Sequence, residues 1–289
     1  MITWMGLAGL ALIVALCCLN VRAESSEVGF SVRALLPENQ MNPDVAYFYL
    51  HMEPNQEQVL QVMVNNRTDE EMVVELQANT AFTNAHGVID YSQMQGGSKV
   101  HGTDFESIVT IAEPRISIPA QHSVVAEFQI QLPEEPFDGE ILGGLVFTQV
   151  PPEAFENELA GAMEIRNIFN YCIAVRLSQG DRALIAPEFT LEGVQMGQRA
   201  GFPSLIVSLR NERQMIVKDM EMDVSVYAQD YTKVLSFETL KMAMAPSSEA
   251  PYIISLRDTL PLQAGVYHVV AEVRAVEQTW RFDTALHVN

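Results

Sequence analysis

The sequence predicts an all-β protein built of two tandem β-sandwich domains. Three observations carry this prediction: many short runs in which apolar and polar residues alternate, turn-forming residues between those runs, and a break in the pattern near the middle of the chain. The chain has 289 residues, which is enough for two ordinary domains. Long amphipathic helical stripes are few, and this disfavours a helical or mixed fold class.

Alternation with a period of two is strongest in three segments, "SVVAEFQIQL" (123–132), "MEMDVSVY" (220–227) and "WRFDTALHV" (280–288). Because successive side chains of a strand point to opposite faces, each segment is predicted to be a half-buried strand. Similar runs occur at residues 59–64, 72–78, 183–191, 205–209 and 267–275. Many short strands separated by turns favour sandwiches of the immunoglobulin-like kind.

Turn-forming residues separate these runs, as in "LRNERQ" (209–214) and "MAPSSEAP" (244–251). The stretch Val150–Met163 is rich in Pro and Glu and lacks alternation, so we interpret it as the connection between the sandwiches. The predicted domains are therefore residues 24–152 and 153–289. The next strand, "EIRNIFNYCIAVRLSQ" (164–179), either opens the second domain or pairs with the first, and in the second case the boundary moves to about Gln179.

Residues 1–23 have the features of a signal peptide. Their core, "GLAGLALIVALCCL" (6–19), is almost wholly apolar and is short for a membrane span. Val21 and Ala23 place small residues at the −3 and −1 positions of a signal-peptidase site. We expect cleavage between Ala23 and Glu24, followed by export, with no transmembrane anchor left at this end. The alternative is an uncleaved N-terminal anchor.

Cysteine usage and net charge bound the cellular context and the partners. Two of the three cysteines lie in the predicted signal peptide, so the exported chain keeps only Cys172 and forms no internal disulfide. This usage favours a Gram-positive surface over a small secreted animal domain. The formal net charge of −20 argues against binding to nucleic acid or to anionic lipid. The same charge also serves to keep an extracellular protein soluble.

The sequence lacks the common motifs of catalysis and cofactor binding. It contains no Gly-x-Ser-x-Gly, His-Glu-x-x-His or Cys-x-x-Cys motif and no phosphate-cradling glycine loop. The pair Gly143-Gly144 lies inside an apolar run, where a bulge or a close backbone approach is expected. The six histidines are scattered without metal-ligand spacing. We therefore expect no catalytic residue, no cofactor and no metal site.

One polar cluster, "TAFTNAHGVIDYS" (80–92), is the candidate ligand-contact loop. Its candidate contact residues are Thr83, Asn84, His86, Asp90 and Tyr91. The alternative is a structural role, in which Asn84 and Gly87 supply positive-φ backbone and the Asn and Asp side chains cap turns. In that role Tyr91 packs or anchors a corner, and His86 has no evident partner. A mixed role, with a structural loop whose exposed edge contacts a ligand, stays open.

Spaced segments in both halves carry a family resemblance. The first half contains "PENQMNPDVAYFYL" (37–50), "PNQEQVLQVMVNN" (54–66), the loop of residues 80–92 and "LPEEPFDGEILGGLVF" (132–147). The second contains residues 168–177, "RNERQMIVKDM" (210–220), "MAPSSEAPYIISL" (244–256) and "LQAGVYHVVAEV" (262–273). Together they resemble the two domains of the WxL-interacting proteins of Gram-positive bacteria. Where that family has a Pro-Gly-Gln turn, this chain has Asn55, which tolerates the same left-handed backbone.

The resemblance implies a non-enzymatic cell-surface binding protein in the wall of a Gram-positive bacterium. In that family the first domain is assigned peptidoglycan binding and the second binding to host matrix proteins, and the proteins act with partners that carry a WxL domain. Members usually continue into a C-terminal transmembrane helix, so we expect either a member without that anchor or a sequence cut short at Asn289. The alternative function, also from a resemblance, is an extracytoplasmic assembly chaperone that caps a subunit by strand addition.

Overall fold

The computed structural model describes residues 29–92, 98–99, 102–151, 169–181, 185–238, 241–259 and 261–289. The predicted signal peptide and most of Val150–Met163 lie outside these ranges. Within them the chain is all-β and forms two β-sandwiches, which confirms the predicted fold class. No helix of the described residues is long and apolar enough to cross a membrane.

The first sandwich consists of a four-stranded and a five-stranded sheet. The first sheet, in spatial order, contains β1 (Phe30–Leu35), β3 (Glu57–Asn66), β10 (Ser123–Gln131) and β8 (Val109–Thr110). The second sheet contains β2 (Phe48–His51), β12 (Asn170–Gln179), β11 (Gly139–Val150), β4 (Met72–Thr80) and β9 (Arg115–Ile118). Strands β12 and β2 run parallel, and the other pairs are antiparallel.

The core of the first sandwich follows the alternation in the sequence. In β10, Ala126, Phe128 and Ile130 are buried between the sheets, while the residues between them face solvent. The Phe128 ring packs edge-on against Phe147 of the opposite sheet, with the ring centroids 5.8 Å apart. Full burial of one such side chain contributes about 1.5–3 kcal/mol, so apolar burial holds the two sheets together.

The second sandwich also has two sheets. One contains β13 (Phe189–Arg199), β14 (Phe202–Asn211), β18 (Ser248–Ser255) and the short β7 (Ser98–Lys99). The other contains β16 (Lys233–Glu238), β15 (Val217–Tyr227), β19 (Gly265–Ala275) and β20 (Gln278–Val288), with β17 (Met242–Met244) paired to β15. Met220, Met222, Val224 and Val226 of β15 are all buried, as their alternation predicts.

The strand whose domain was left open, β12, belongs to the first sandwich. It pairs with β11 from Gly139↔Gln179 to Thr148↔Asn170 and pairs with β2 on its other side. A boundary at residues 152/153 would remove the strand that joins β2 to the rest of this sheet. We therefore propose a domain boundary after Gln179.

The stretch "MAPSSEAP" is only in part a turn. Residues 245–247 leave β17, and β18 then begins at Ser248 and continues through Pro251, which lies opposite Ser208 of β14. The prediction of a turn up to Pro251 was wrong because Ser248, Ala250 and Tyr252 already alternate toward the core. The buried face outweighs the turn preference of the proline.

Candidate functional site at the domain junction

The loop of residues 80–92 lies against the second sandwich. Its two short strands, β5 (Phe82–Thr83) and β6 (Ile89–Asp90), pair as a hairpin. At the hairpin tip, Ala243 N–H donates to the carbonyl oxygen of Gly87 (2.8 Å), and Ile253 N–H donates to that of Ala85 (3.2 Å). The predicted ligand-contact loop is therefore part of the junction between the two sandwiches.

Thr83 is fully buried in this junction. Its Oγ1 accepts a hydrogen bond from Ala245 N–H at 2.9 Å and lies 3.0 Å from Oγ of Ser248. Ser248 Oγ in turn donates to the carbonyl oxygen of Ala245 at 2.8 Å. Because buried polar groups are costly without partners, this small network fixes the hairpin to the turn between β17 and β18.

Asn84 organises the loop through its side chain. Its Oδ1 accepts hydrogen bonds from His86 N–H (3.0 Å) and Val88 N–H (3.2 Å), which is the capping role expected of Asn in a turn. The expectation that Asn84 also has positive φ was wrong, since only Gly87 of this loop does, at φ 73°. The side chain satisfies the turn from an ordinary backbone conformation, so one left-handed residue suffices.

Gly87 is constrained by packing as well as by backbone conformation. A Cβ atom built on it would lie 2.7 Å from Cγ of Met242 in the second sandwich. Any larger residue must therefore adopt an unfavourable φ and also displace Met242.

His86 has a partner that the sequence did not suggest. Its Nε2 lies 2.9 Å from Nη2 of Arg199, at the end of β13. The guanidinium can only donate, so this contact requires a neutral imidazole with its proton on Nδ1. The expectation of a partnerless His86 was wrong because the two residues are 113 positions apart.

Asp90 and Tyr91 complete the loop. Burial raises the pKa of Asp90, but hydrogen bonds from Ser92, Asn84 and the Tyr91 backbone outweigh it, and the pKa is lowered overall. Burial raises the pKa of Tyr91 to about 12. Its ring packs on a small apolar cluster shared by both sandwiches, whose buried members are Ala81, Leu142, Ile216 and Ala245.

The glycine pair in β11 makes room for these contacts. A Cβ atom on Gly143 would lie 2.0 Å from Cδ1 of Phe105, and one on Gly144 would lie 2.5 Å from Sγ of Cys172 and 2.9 Å from Cβ of Tyr91. The expectation of a bulge or a close backbone approach was wrong, because the register is regular here and the groups that approach both glycines are side chains. Glycine at these two positions leaves room for the Phe105 ring and for Tyr91 of the loop to pack against β11.

A buried ion pair in the junction was missed from the sequence. The Glu140 side chain is completely buried, and its Oε1 accepts hydrogen bonds from Nε (2.8 Å) and Nη2 of Arg176. Its Oε2 accepts from Ile216 N–H of the second sandwich at 3.0 Å. The Arg176 guanidinium also lies 4.2 Å from the centroid of the Tyr49 ring. The available signal was a charged residue inside each of two apolar strands, "EILGGLVF" and "CIAVRL".

The structure thus places all five candidate residues in one loop at the junction, where each of them contacts other residues of this protein. The geometry joins and orients two domains. Among the described ranges, no group of acidic, histidine and cysteine side chains is arranged to hold a metal ion. That the exposed edge of this loop contacts a ligand stays a prediction.

Comparison with known families matches the two halves of the chain to two domain types, and the second match includes β12 of the first sandwich. Residues 30–149 match the model of the peptidoglycan binding domain of WxL interacting proteins, and residues 160–289 match the host binding domain of the same proteins. Two sandwiches of these types define a two-domain cell-surface protein that binds peptidoglycan and host molecules. The matches cover most of the chain, which belongs to the WxL-interacting protein family. This confirms the resemblance and, with it, binding to peptidoglycan and to a host partner.

A search of curated proteins found no match. Among solved structures, the chain is similar to the E. coli chaperone DraB, with 14% identity over 88% of this chain and 96% of that chain and a TM-score of 0.36. It is also similar to the CsuC–CsuE chaperone–tip adhesion subunit complex of Acinetobacter baumannii, with 12% identity over 77% and 89% and a TM-score of 0.36. Similarity at this level carries no argument about function.

Proposed function

We propose that this protein is a non-catalytic adaptor on a Gram-positive cell wall. Its first sandwich holds peptidoglycan, its second holds a host matrix protein, and a surface protein with a WxL domain binds beside them. The observation that carries the proposal is the order of the two family matches, which fall on the first and second halves of the chain. Export follows cleavage between Ala23 and Glu24.

The junction supports the adaptor role because it gives the two binding domains one fixed relation. Glu140 connects β12 to the second sandwich through Arg176 and Ile216, and Thr83 connects the hairpin to Ser248. These polar groups are buried and engaged with protein partners. They are therefore suited to holding domains together, whereas a catalytic group must be free to meet a substrate.

The test is a bridging experiment with the chain that begins at Glu24. Purified Gram-positive peptidoglycan is sedimented with a soluble host matrix protein, such as fibronectin, with and without the chain. We expect the chain in the pellet, and the matrix protein in the pellet only when the chain is present. If the chain stays in the supernatant at both low and physiological salt, peptidoglycan binding is no longer part of the proposal. Screening of charges by salt cannot explain a failure to bind at low salt.

The loop of residues 80–92 enters this proposal as a secondary contact only. Its exposed His86 is the residue whose change to Ala should weaken peptidoglycan sedimentation if the loop edge meets the ligand. Unchanged sedimentation with lowered stability would leave the loop as a purely structural junction. An assembly chaperone is not favoured, because both family models describe binding domains.

A further inference from the structure

A groove of about 720 Å³ lies at one end of the second sandwich. This volume is within the range of roughly 300–1,000 Å³ that is typical of ligand sites. Apolar side chains supply much of its lining, namely Met196, Phe202, Pro203, Leu256, Leu262 and Val288. The groove does not involve the junction.

The groove contains an arginine although the chain as a whole is acidic. The chain carries a formal net charge of −20, yet none of the described residues that line the groove is Asp or Glu, whereas Arg257 and His287 are among them. The Arg257 guanidinium lies 4.5 Å from the centroid of the Phe202 ring. Among the described residues Arg257 forms no ion pair, whereas Arg210 and Arg274 are each paired with carboxylates. The groove therefore offers an unpaired cation beside an apolar surface.

Two strands with an unpaired edge border the groove. Residues 195–198 of β13 line one side, and residues 287–289, at and after the end of β20, line the other. In the described part of the chain, β13 pairs only with β14, and β20 pairs only with β19. An extended segment can add to an unpaired strand edge by backbone hydrogen bonds.

We propose that this groove, bounded by Gln195–Gln198, Phe202, Arg257 and His287, is the docking site for an extended acidic and apolar segment of a protein partner. A carboxylate of the segment pairs with Arg257, a neighbouring apolar side chain fills the groove, and the segment's main chain lies along β13. This inference rests on the proposed function, because it assigns the partner-binding surface of the host-binding domain.

The first test uses a phage-displayed library of random octapeptides. It is selected on the chain that begins at Glu24 and counter-selected on the Arg257→Glu variant. We expect enriched peptides in which Asp or Glu adjoins apolar residues, although an acidic protein as a whole attracts basic peptides. Enrichment of Lys- and Arg-rich peptides, or no enrichment over the variant, would overturn the proposal.

The second test measures the most enriched synthetic peptide by fluorescence polarisation. Arg257→Ala should weaken its binding about tenfold, the loss expected for one hydrogen bond to a charged group, and Arg257→Glu should weaken it further. Arg33 in β1 of the first sandwich is exposed and forms no ion pair with the described residues, so Arg33→Ala and Arg33→Glu are the matched controls. Equal losses at the two arginines would show that only net charge matters and would overturn the groove assignment.

Fibronectin binding by the same variants separates this inference from the proposed function. If the chain binds fibronectin and Arg257→Glu binds it equally well, the groove assignment fails and the adaptor role stands. If the chain does not bind fibronectin but selects acidic, apolar peptides through Arg257, the groove stands and the host role loses its support. A chain that sediments as a dimer, and as a monomer after Arg257→Glu, would assign the groove to a second copy and overturn the partner assignment.

Discussion

Replacing Glu140 by Gln tests how strongly the junction stabilises the protein. The Glu140 carboxylate is completely buried and accepts hydrogen bonds from Arg176 and from Ile216 N–H. The amide of Gln keeps one acceptor but turns an NH₂ group toward one of these donors and leaves the Arg176 charge uncompensated. Removing one partner of a buried ion pair costs about 3–5 kcal/mol, which is a large part of the roughly 5–15 kcal/mol that keeps a domain folded.

Urea unfolding of the chain that begins at Glu24 measures this loss. The matched control is Glu75→Gln, which breaks the surface pair between Glu75 and Arg115, whose side chains are 33% and 65% exposed. The control should lose no more than about 1 kcal/mol. The double variant Glu140→Leu with Arg176→Met should be more stable than Glu140→Leu alone, because no charge is then buried without a partner. Equal losses of about 1 kcal/mol for Glu140→Gln and Glu75→Gln would refute this reasoning.

Three further outcomes are expected. Gly87 and Gly201 both have left-handed backbones, at φ 73° and 80°, but of these two a Cβ atom would meet side-chain atoms only at Gly87. In thermal unfolding, Gly201→Ala should lower the free energy of unfolding by about 1 kcal/mol and Gly87→Ala by about 2–3 kcal/mol. Similar losses for the two variants would contradict the packing argument. Burial raises the pKa of Tyr252, so the folded state holds this proton longer than the unfolded state and stability falls as the pH rises through about 10. The buried hydroxyl of Tyr252 has no hydrogen-bond partner in the described structure. Tyr252→Phe should therefore leave the urea midpoint at about pH 8 unchanged or higher, and should reduce the fall in stability at about pH 11. A lower midpoint at both pH values would contradict this. The intact mass of the exported protein should correspond to an N-terminus at Glu24, and a mass that includes Met1 would contradict cleavage.

The fold could be predicted from the sequence because alternation is a local property. The side chains of β10 and β15 face the core as their patterns indicate. Alternation reports which face of a strand is buried, but not which strand lies beside it. The sheet that contains β12 was therefore left open by the sequence, and its pairing with β11 and β2 depends on the tertiary structure.

The candidate site could be predicted only in its local part. The turn at Gly87 and the capping by Asn84 follow from residues close together in the chain. The contact between Thr83 and Ser248 joins residues 165 positions apart, and no pattern within the loop indicates it. A Glu inside an apolar strand does signal a buried partner, but the strand sequence does not identify Arg176 as that partner.

The hairpin contacts at Ala85 and Gly87 have a mechanical consequence. A cell that is attached to a host surface in moving fluid exerts tension on the proteins that attach it. In the proposed adaptor, this tension would pass from one sandwich to the other. The hydrogen bonds from Ile253 and Ala243 to the hairpin act in parallel with the covalent link after Gln179. The domains therefore cannot swivel about a single hinge until those bonds break, together with the bonds from Ala245 to Thr83 and from Ile216 to Glu140. A hairpin with two residues in each strand thus contributes to the torsional stiffness of the proposed adaptor.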